Sequence, residues 1–144
     1  MTEDETFAEV CLYTLGLGDS RFIHQYAVDC FAIQSAEATA RPMKIAFALA
    51  GLCLHLEHNF NGRQVQLAHM ALAPKKASLP VFKLPASRGS IRVADILAAP
   101  PGPNRDDAIE GWCSSIWAAM APLHAEVQTW LSRDLDSLEP SYYR

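Results

Sequence analysis

The sequence predicts an all-α chain: a single-domain helical bundle with a buried central helix and an ordered Pro-rich connector. Three observations point there. Apolar residues recur at threes and fours along most of the chain, the period of a helix with one buried face. The stretch from Ile45 to Leu56 carries no charge and no polar stripe, and a helix apolar all round is enclosed by neighbours. Pro74, Pro80, Pro85, Pro100, Pro101 and Pro103 crowd into one interval, which separates helices before it from helices after it. A length of 144 residues fits one domain with a core that needs no metal or disulfide staple.

The first helix is expected over 5–16, with Phe7, Val10, Cys11 and Leu15 on its inner face and Gly16 and Gly18 as its stop. Asp19 suits the N-cap of a second helix, 20–37, whose apolar face is Ile23, Tyr26, Ala27, Cys30 and Ile33. The central helix covers 43–60. Pro42 fits its first turn and Asn61-Gly62 its stop. It is too short, and broken too soon by His55, Glu57 and His58, to cross a membrane. A fourth helix, 63–73, turns Val65, Ala68, His69 and Leu72 inward and ends at Pro74. Residues 74–103 form the connector, with one or two helical turns at 93–98 and with Phe82 and Leu84 in need of burial. Asn104 and Asp107 resemble a capping box for a long last helix, 105–136. Ile109, Trp112, Ile116, Met120, Leu123, Val127 and Trp130 form its core stripe, and Pro122 kinks it.

Charge is uneven. No carboxylate lies between Glu57 and Asp95, an interval that holds Arg63, Lys75, Lys76, Lys83, Arg88 and Arg92. Two readings stay open: a basic connector lying over acidic helices, or a site for a small anionic ligand or acidic protein partner. A net charge of −4 argues against a nucleic-acid binder, which needs a dense cationic footprint. The acidic start MTEDETFAEV is not a secretory signal, and Cys11, Cys30, Cys53 and Cys113 show no paired spacing. The expectation is a cytoplasmic chain with four reduced thiols. Trp112 and Trp117, five apart, cannot share one helical stripe, so one is expected in the core and the other at a cleft or interface. Trp117, Trp130, Phe82 and Leu84 together exceed what one small core takes in, which suggests a homodimer through the last helix or the connector.

The second helix, Ile23-His24-Gln25-Tyr26-Ala27-Val28-Asp29-Cys30-Phe31-Ala32-Ile33-Gln34, resembles a family of uncharacterised bacterial proteins with the signature V-H-x-L-T-V-D-x-Y-x-x-Q-H-P. His24, Val28, Asp29 and Gln34 match it directly. Gly51-Leu52-Cys53-Leu54 with Leu56-Glu57, and Trp112 with Trp117, resemble further segments of that family. The resemblance implies a helical fold and no defined chemistry. The departures are Ser35-Ala36 where His-Pro is usual, Ala48 where a histidine is usual, and Thr14 where members with C-x-x-C would carry a second cysteine. If those positions hold a metal in the family, the resemblance implies that this chain has lost much of that site.

Two kinds of chemistry are open. Asp29, Gln34, Lys75, Lys76 and Arg88 are candidates for binding a ligand or anion. Asp29 sits at the core margin, where a carboxylate needs a partner: an arginine such as Arg41 or Arg63, or a neighbouring helix end. His55 and His58 share one turn; with His24 or His124 they would place three imidazoles around a divalent metal, with a position left for water. That arrangement is loosely similar to the metal-dependent DinB-like helical bundles, hydrolases or transferases. Histidines at a helix C-terminus also suit its dipole with no metal at all. A non-catalytic binding or protein-interaction module, with no cofactor, ranks first and the metal-dependent enzyme second.

Overall fold

The computed structural model describes residues 1–144. Seven α-helices follow in order: α1 (Glu3–Gly16), α2 (His24–Gln34), α3 (Pro42–His58), α4 (Gly62–Leu72), α5 (Val93–Ala98), α6 (Pro103–Ala119) and α7 (His124–Asp134). Short 3-10 turns cover Ala73–Ser78, Ala121–Leu123 and Pro140–Tyr142, and no strand forms.

Helix α3 is enclosed: every residue from Ala48 to Leu54 is buried, which follows from a sequence with no polar stripe to face water. It shares the centre with α2. Helix α2 packs on α1, α3, α4 and α6, and α3 packs on α2, α4, α6 and α7. Phe7 meets Phe31 while Thr14 meets His24, so α1 and α2 run antiparallel. Tyr26 stacks on His55 while Asp29 lies against Gly51, so α2 and α3 do too.

Several ends fall elsewhere than the sequence suggests, each for a local reason. Thr2 caps α1, which starts two residues early, and its inner face is Thr6, Val10 and Thr14; Leu15 is 56% exposed. Asp19 does accept the N–H of Ile23, at 3.2 Å, but α2 starts only at His24. The chain before it is bent by Phe22 at φ 54°, where its carbonyl presses on α4. A Cβ on Gly62 would stand 1.8 Å from the Phe22 oxygen, so only glycine fits this approach. At its other end α2 stops at Gln34, three residues before expected. Helix α3 stops at Asn59, left-handed at φ 63°. Asn61 instead starts α4: its Oδ1 accepts from the Gln64 N–H while the Gln64 side chain accepts from the Asn61 N–H, both at 2.9 Å. Asn104 caps nothing; α6 begins at Pro103 behind Gly102, at φ 99°.

The expected single helix 105–136 is two. Pro122 has no N–H to continue the ladder, so α6 ends at Ala119 and a 3-10 turn leads into α7. His124 then donates from Nε2 to the Trp117 carbonyl at 2.7 Å. Both tryptophans of α6 are enclosed, although five residues apart: Trp112 is fully buried and Trp117 is 5% exposed, with the His124 ring stacked on it. Trp117 also borders a small cleft and donates to Glu57 at 2.8 Å. Trp130 and Phe82 are likewise buried and Leu84 is half-buried, so the surplus that suggested a second copy is absorbed within the chain's own core.

The connector does not lie over acidic helices by charge. Arg92 meets Glu3 at 2.8 Å, and it is the only connector cation in an ion pair. What fastens the connector to α2 is Arg88, which donates to the Ile33 and Ala36 carbonyls, and Gln34. The Gln34 Nε2 donates to the carbonyls of Arg88 (3.1 Å) and Ile91 (2.6 Å), while its Oε1 accepts from Trp112 (2.9 Å). No helix is long and apolar enough to cross a membrane.

Candidate functional site

Helices α1 to α4 leave a groove of about 260 Å³ over the outer face of α2. Val28, Asp29 and Ala32 of α2 form its floor, with Ala48 of α3 beside them. Two aromatic pairs form its walls. Phe7 and Phe31 stack with ring centres 4.1 Å apart and planes 11° apart. Phe47 and His69 stack at 5.0 Å and 17°. Lys44, exposed at the first turns of α3, also lines the groove, and no carboxylate pairs with it.

Asp29 is 3% exposed. Its Oδ1 accepts from Gln25, one turn earlier, at 3.1 Å. Its Oδ2 is the one buried side-chain polar atom with no hydrogen-bond partner. Neither Arg41 nor Arg63 reaches it, contrary to the pairing expected from sequence. Gly51 makes the space: a Cβ there would stand 1.9 Å from Oδ2. Desolvation in this setting raises the carboxyl well above its ordinary pKa, against a smaller lowering by Gln25, so burial favours the protonated acid. His69 donates from Nε2 to the Phe47 carbonyl at 2.7 Å. A carbonyl only accepts, so the proton sits on Nε2. Burial lowers the ring's pKa to about 4, leaving Nδ1 with a free lone pair at pH 7. Of the three ionisable groups in the groove, burial disfavours the charged forms of Asp29 and His69, while Lys44 is exposed.

The other candidates are engaged elsewhere. Arg88 donates to the carbonyls of Ile33 and Ala36, closing the C-terminal end of α2. Lys75 donates to the Asp134 carbonyl at 2.6 Å, and Lys76 is exposed with no partner near it. With Gln34 spent on the connector, these residues form no common anion pocket with Asp29.

The four histidines also stay apart. His24 Nδ1 lies 2.9 Å from Thr14 Oγ1. His55 has acceptors at both nitrogens: the Phe60 carbonyl at 2.9 Å and the Glu110 carboxylate at 2.8 Å. That contact lowers the pKa of Glu110, against desolvation, so it stays ionised. His58 Nε2 meets Gln128 Oε1 at 2.8 Å, and His124 is held by Trp117. No three His, Cys, Asp or Glu side chains are arranged to hold a metal ion. A second cavity, about 280 Å³, is lined by Asp19, Arg21, Asp106, Asp107 and Glu110. Three of its carboxylates already accept bonds, from Ile23, Tyr13 and His55. All four cysteines are free; Cys30 and Cys113 touch in the core with sulfurs 3.4 Å apart.

Residues 4–121 match a family of unknown function, DUF5946. This chain belongs to that family. No curated protein matches it, and no solved structure does. The DUF5946 match spans α1 to α6 and includes every groove residue, from Phe7 to His69, whereas α7 lies outside it. Two of the departures noted above acquire a place here. Thr14, where a cysteine would stand, bonds His24. Ala48, where a histidine would stand, is 2% exposed and adds no polar group beside the groove floor.

Asp29 was legible as a site residue because a lone carboxylate interrupts an apolar face. Lys44, Phe7, Phe31 and Phe47 were not. Phe31 and Phe47 fall beside the core stripes of their helices, and Lys44 was the one available signal, as the only cation on α3 apart from its histidines.

Proposed function

We propose that this DUF5946 chain is a non-catalytic binding module that takes a small apolar molecule into the groove between α1 and α4. The observation that supports this most directly is the groove itself: two stacked aromatic pairs facing open space across a floor whose one carboxyl is buried. A concave, mostly apolar surface with few polar groups is how small-molecule sites are built. Catalysis lacks its parts. Burial pushes the Cys53 thiol up to about 12, too high for a thiolate nucleophile at pH 7. His55, the histidine with a carboxylate partner, has its other nitrogen tied to a backbone carbonyl, leaving none for a substrate.

The test is an amide NMR titration with benzyl alcohol, a single neutral ring. Shifts should cluster on Phe7, Val28, Ala32, Phe47 and His69. Replacing half-buried Val28 by Phe, which fills the groove, should remove them. Shifts confined to other helices, or none up to millimolar probe, would refute the proposal.

A further inference from the structure

Resting on that reading, we infer that the occupant is a small aromatic carboxylate, with its ring in the groove and its anionic end at Lys44. The size comes first. A space of about 260 Å³ holds roughly nine water-sized volumes, hence a molecule of on the order of ten heavy atoms: one ring and a short arm. The walls select the ring. Phe7 with Phe31, and Phe47 with His69, are already stacked pairs, and a further ring packs on such pairs at the usual 4.5–7 Å centre spacing.

Charge selects the other end. Lys44 is a cation with no carboxylate partner, placed where the groove meets solvent. The interior offers no accessible opposing charge, because His69 is fixed as a donor to Phe47 and the Asp29 carboxyl is buried, shut in between Gln25 and Gly51, where desolvation favours its protonated form. An amine would need an ionised, accessible carboxylate in the groove and would meet Lys44 at the mouth. Both requirements disfavour it. An anion meets an unpaired ammonium at the mouth and a floor that does not repel it.

The experiment titrates the full chain with phenylacetate, benzyl alcohol and 2-phenylethylamine, following the same amides, in the wild type and in Lys44→Glu and Lys44→Met. Lys44 is exposed and unbonded, so both variants keep the fold. The wild type should bind phenylacetate about fivefold more tightly than benzyl alcohol, and the amine least. Lys44→Met should bring phenylacetate to the level of benzyl alcohol. Lys44→Glu should weaken it further and favour the amine, each affinity being read as a ratio to benzyl alcohol on the same protein. If benzyl alcohol binds in the groove but phenylacetate binds equally well to all three proteins, the anionic end is wrong and the groove reading stands. Preference for the amine in the wild type also overturns the inference. If no probe binds, both fail.

Discussion

Asp29 and His69 line the same groove and make opposite demands on pH, and their opposition can be measured. Asp29 keeps its proton in the folded chain at pH values where the unfolded carboxyl, with a pKa of about 3.9, has lost it. Between that value and its raised folded pKa the native state holds one more proton. Stability from this group therefore falls as pH rises, by about 1.4 kcal/mol per pH unit. His69 runs the other way. Its folded pKa is about 4 and its unfolded value about 6.5, so across that interval the unfolded state holds the extra proton and stability rises with the same slope, to a total of about 3 kcal/mol. Above about pH 4, wherever both windows overlap, the two slopes oppose each other. Single variants separate them. Asp29→Asn keeps an acceptor for Gln25 and removes the titration. Its stability relative to wild type should climb by about 1.4 kcal/mol per unit from near pH 4 and level off at the raised folded pKa of Asp29. His69→Gln keeps a donor for the Phe47 carbonyl. Relative to wild type it should lose about 1.4 kcal/mol per unit from roughly pH 4 to 6.5 and then level off. Urea denaturation followed by tryptophan emission is a suitable assay, since Trp112, Trp117 and Trp130 are all buried. A difference between Asp29→Asn and wild type that does not vary with pH would refute the claim that Asp29 is folded in as a neutral acid.

Gly62→Ala should destabilise the chain by about 1–3 kcal/mol or more in thermal or urea melts, because the added methyl meets the fixed backbone carbonyl of Phe22; an unchanged melt would show that the loop gives way. Leu52→Ala, at the fully enclosed middle of α3, should cost about 2–5 kcal/mol, and amides 48–54 should be among the slowest to exchange with deuterium. Thiol titration in denaturant without reductant should count four, even with Cys30 and Cys113 in contact; a count of two, restored to four by reductant, would reveal a bridge between α2 and α6.

The sequence made the helices legible wherever the apolar pattern was strong, as in the Ile23, Tyr26, Ala27, Cys30, Ile33 face, all of it buried as expected. It misplaced ends governed by contacts between distant segments. Nothing local to Phe22 says that its carbonyl will press on Gly62, forty residues on, and delay the start of α2. Pro122 was legible as an interruption, but whether a proline bends a helix or ends it depends on what takes up the freed carbonyls. Here His124 and the Met120 N–H both reach Trp117, and the helix ends. The groove was half legible. Asp29 stood out by polarity and Phe7 and His69 fell on inward faces, yet their stacking partners Phe31 and Phe47 lie off the core stripes, which sequence alone gives no reason to pair.

Gln34 holds the connector by two carbonyl oxygens and no side chain. Such a grip is blind to composition and strict about spacing. Exposed Val81 and Ser87 are free to change identity, because nothing that fastens the segment touches them. Adding or removing one residue between Arg88 and Ile91 is different: it moves one carbonyl out of reach and leaves a buried amide, shared with Trp112, without its acceptor. Among natural variants of this chain, substitutions should therefore be common at exposed connector positions such as Val81 and Ser87 and rare at Phe82 and Arg88, whose side chains are buried or bonded, while length changes should be confined to the stretch before Pro85.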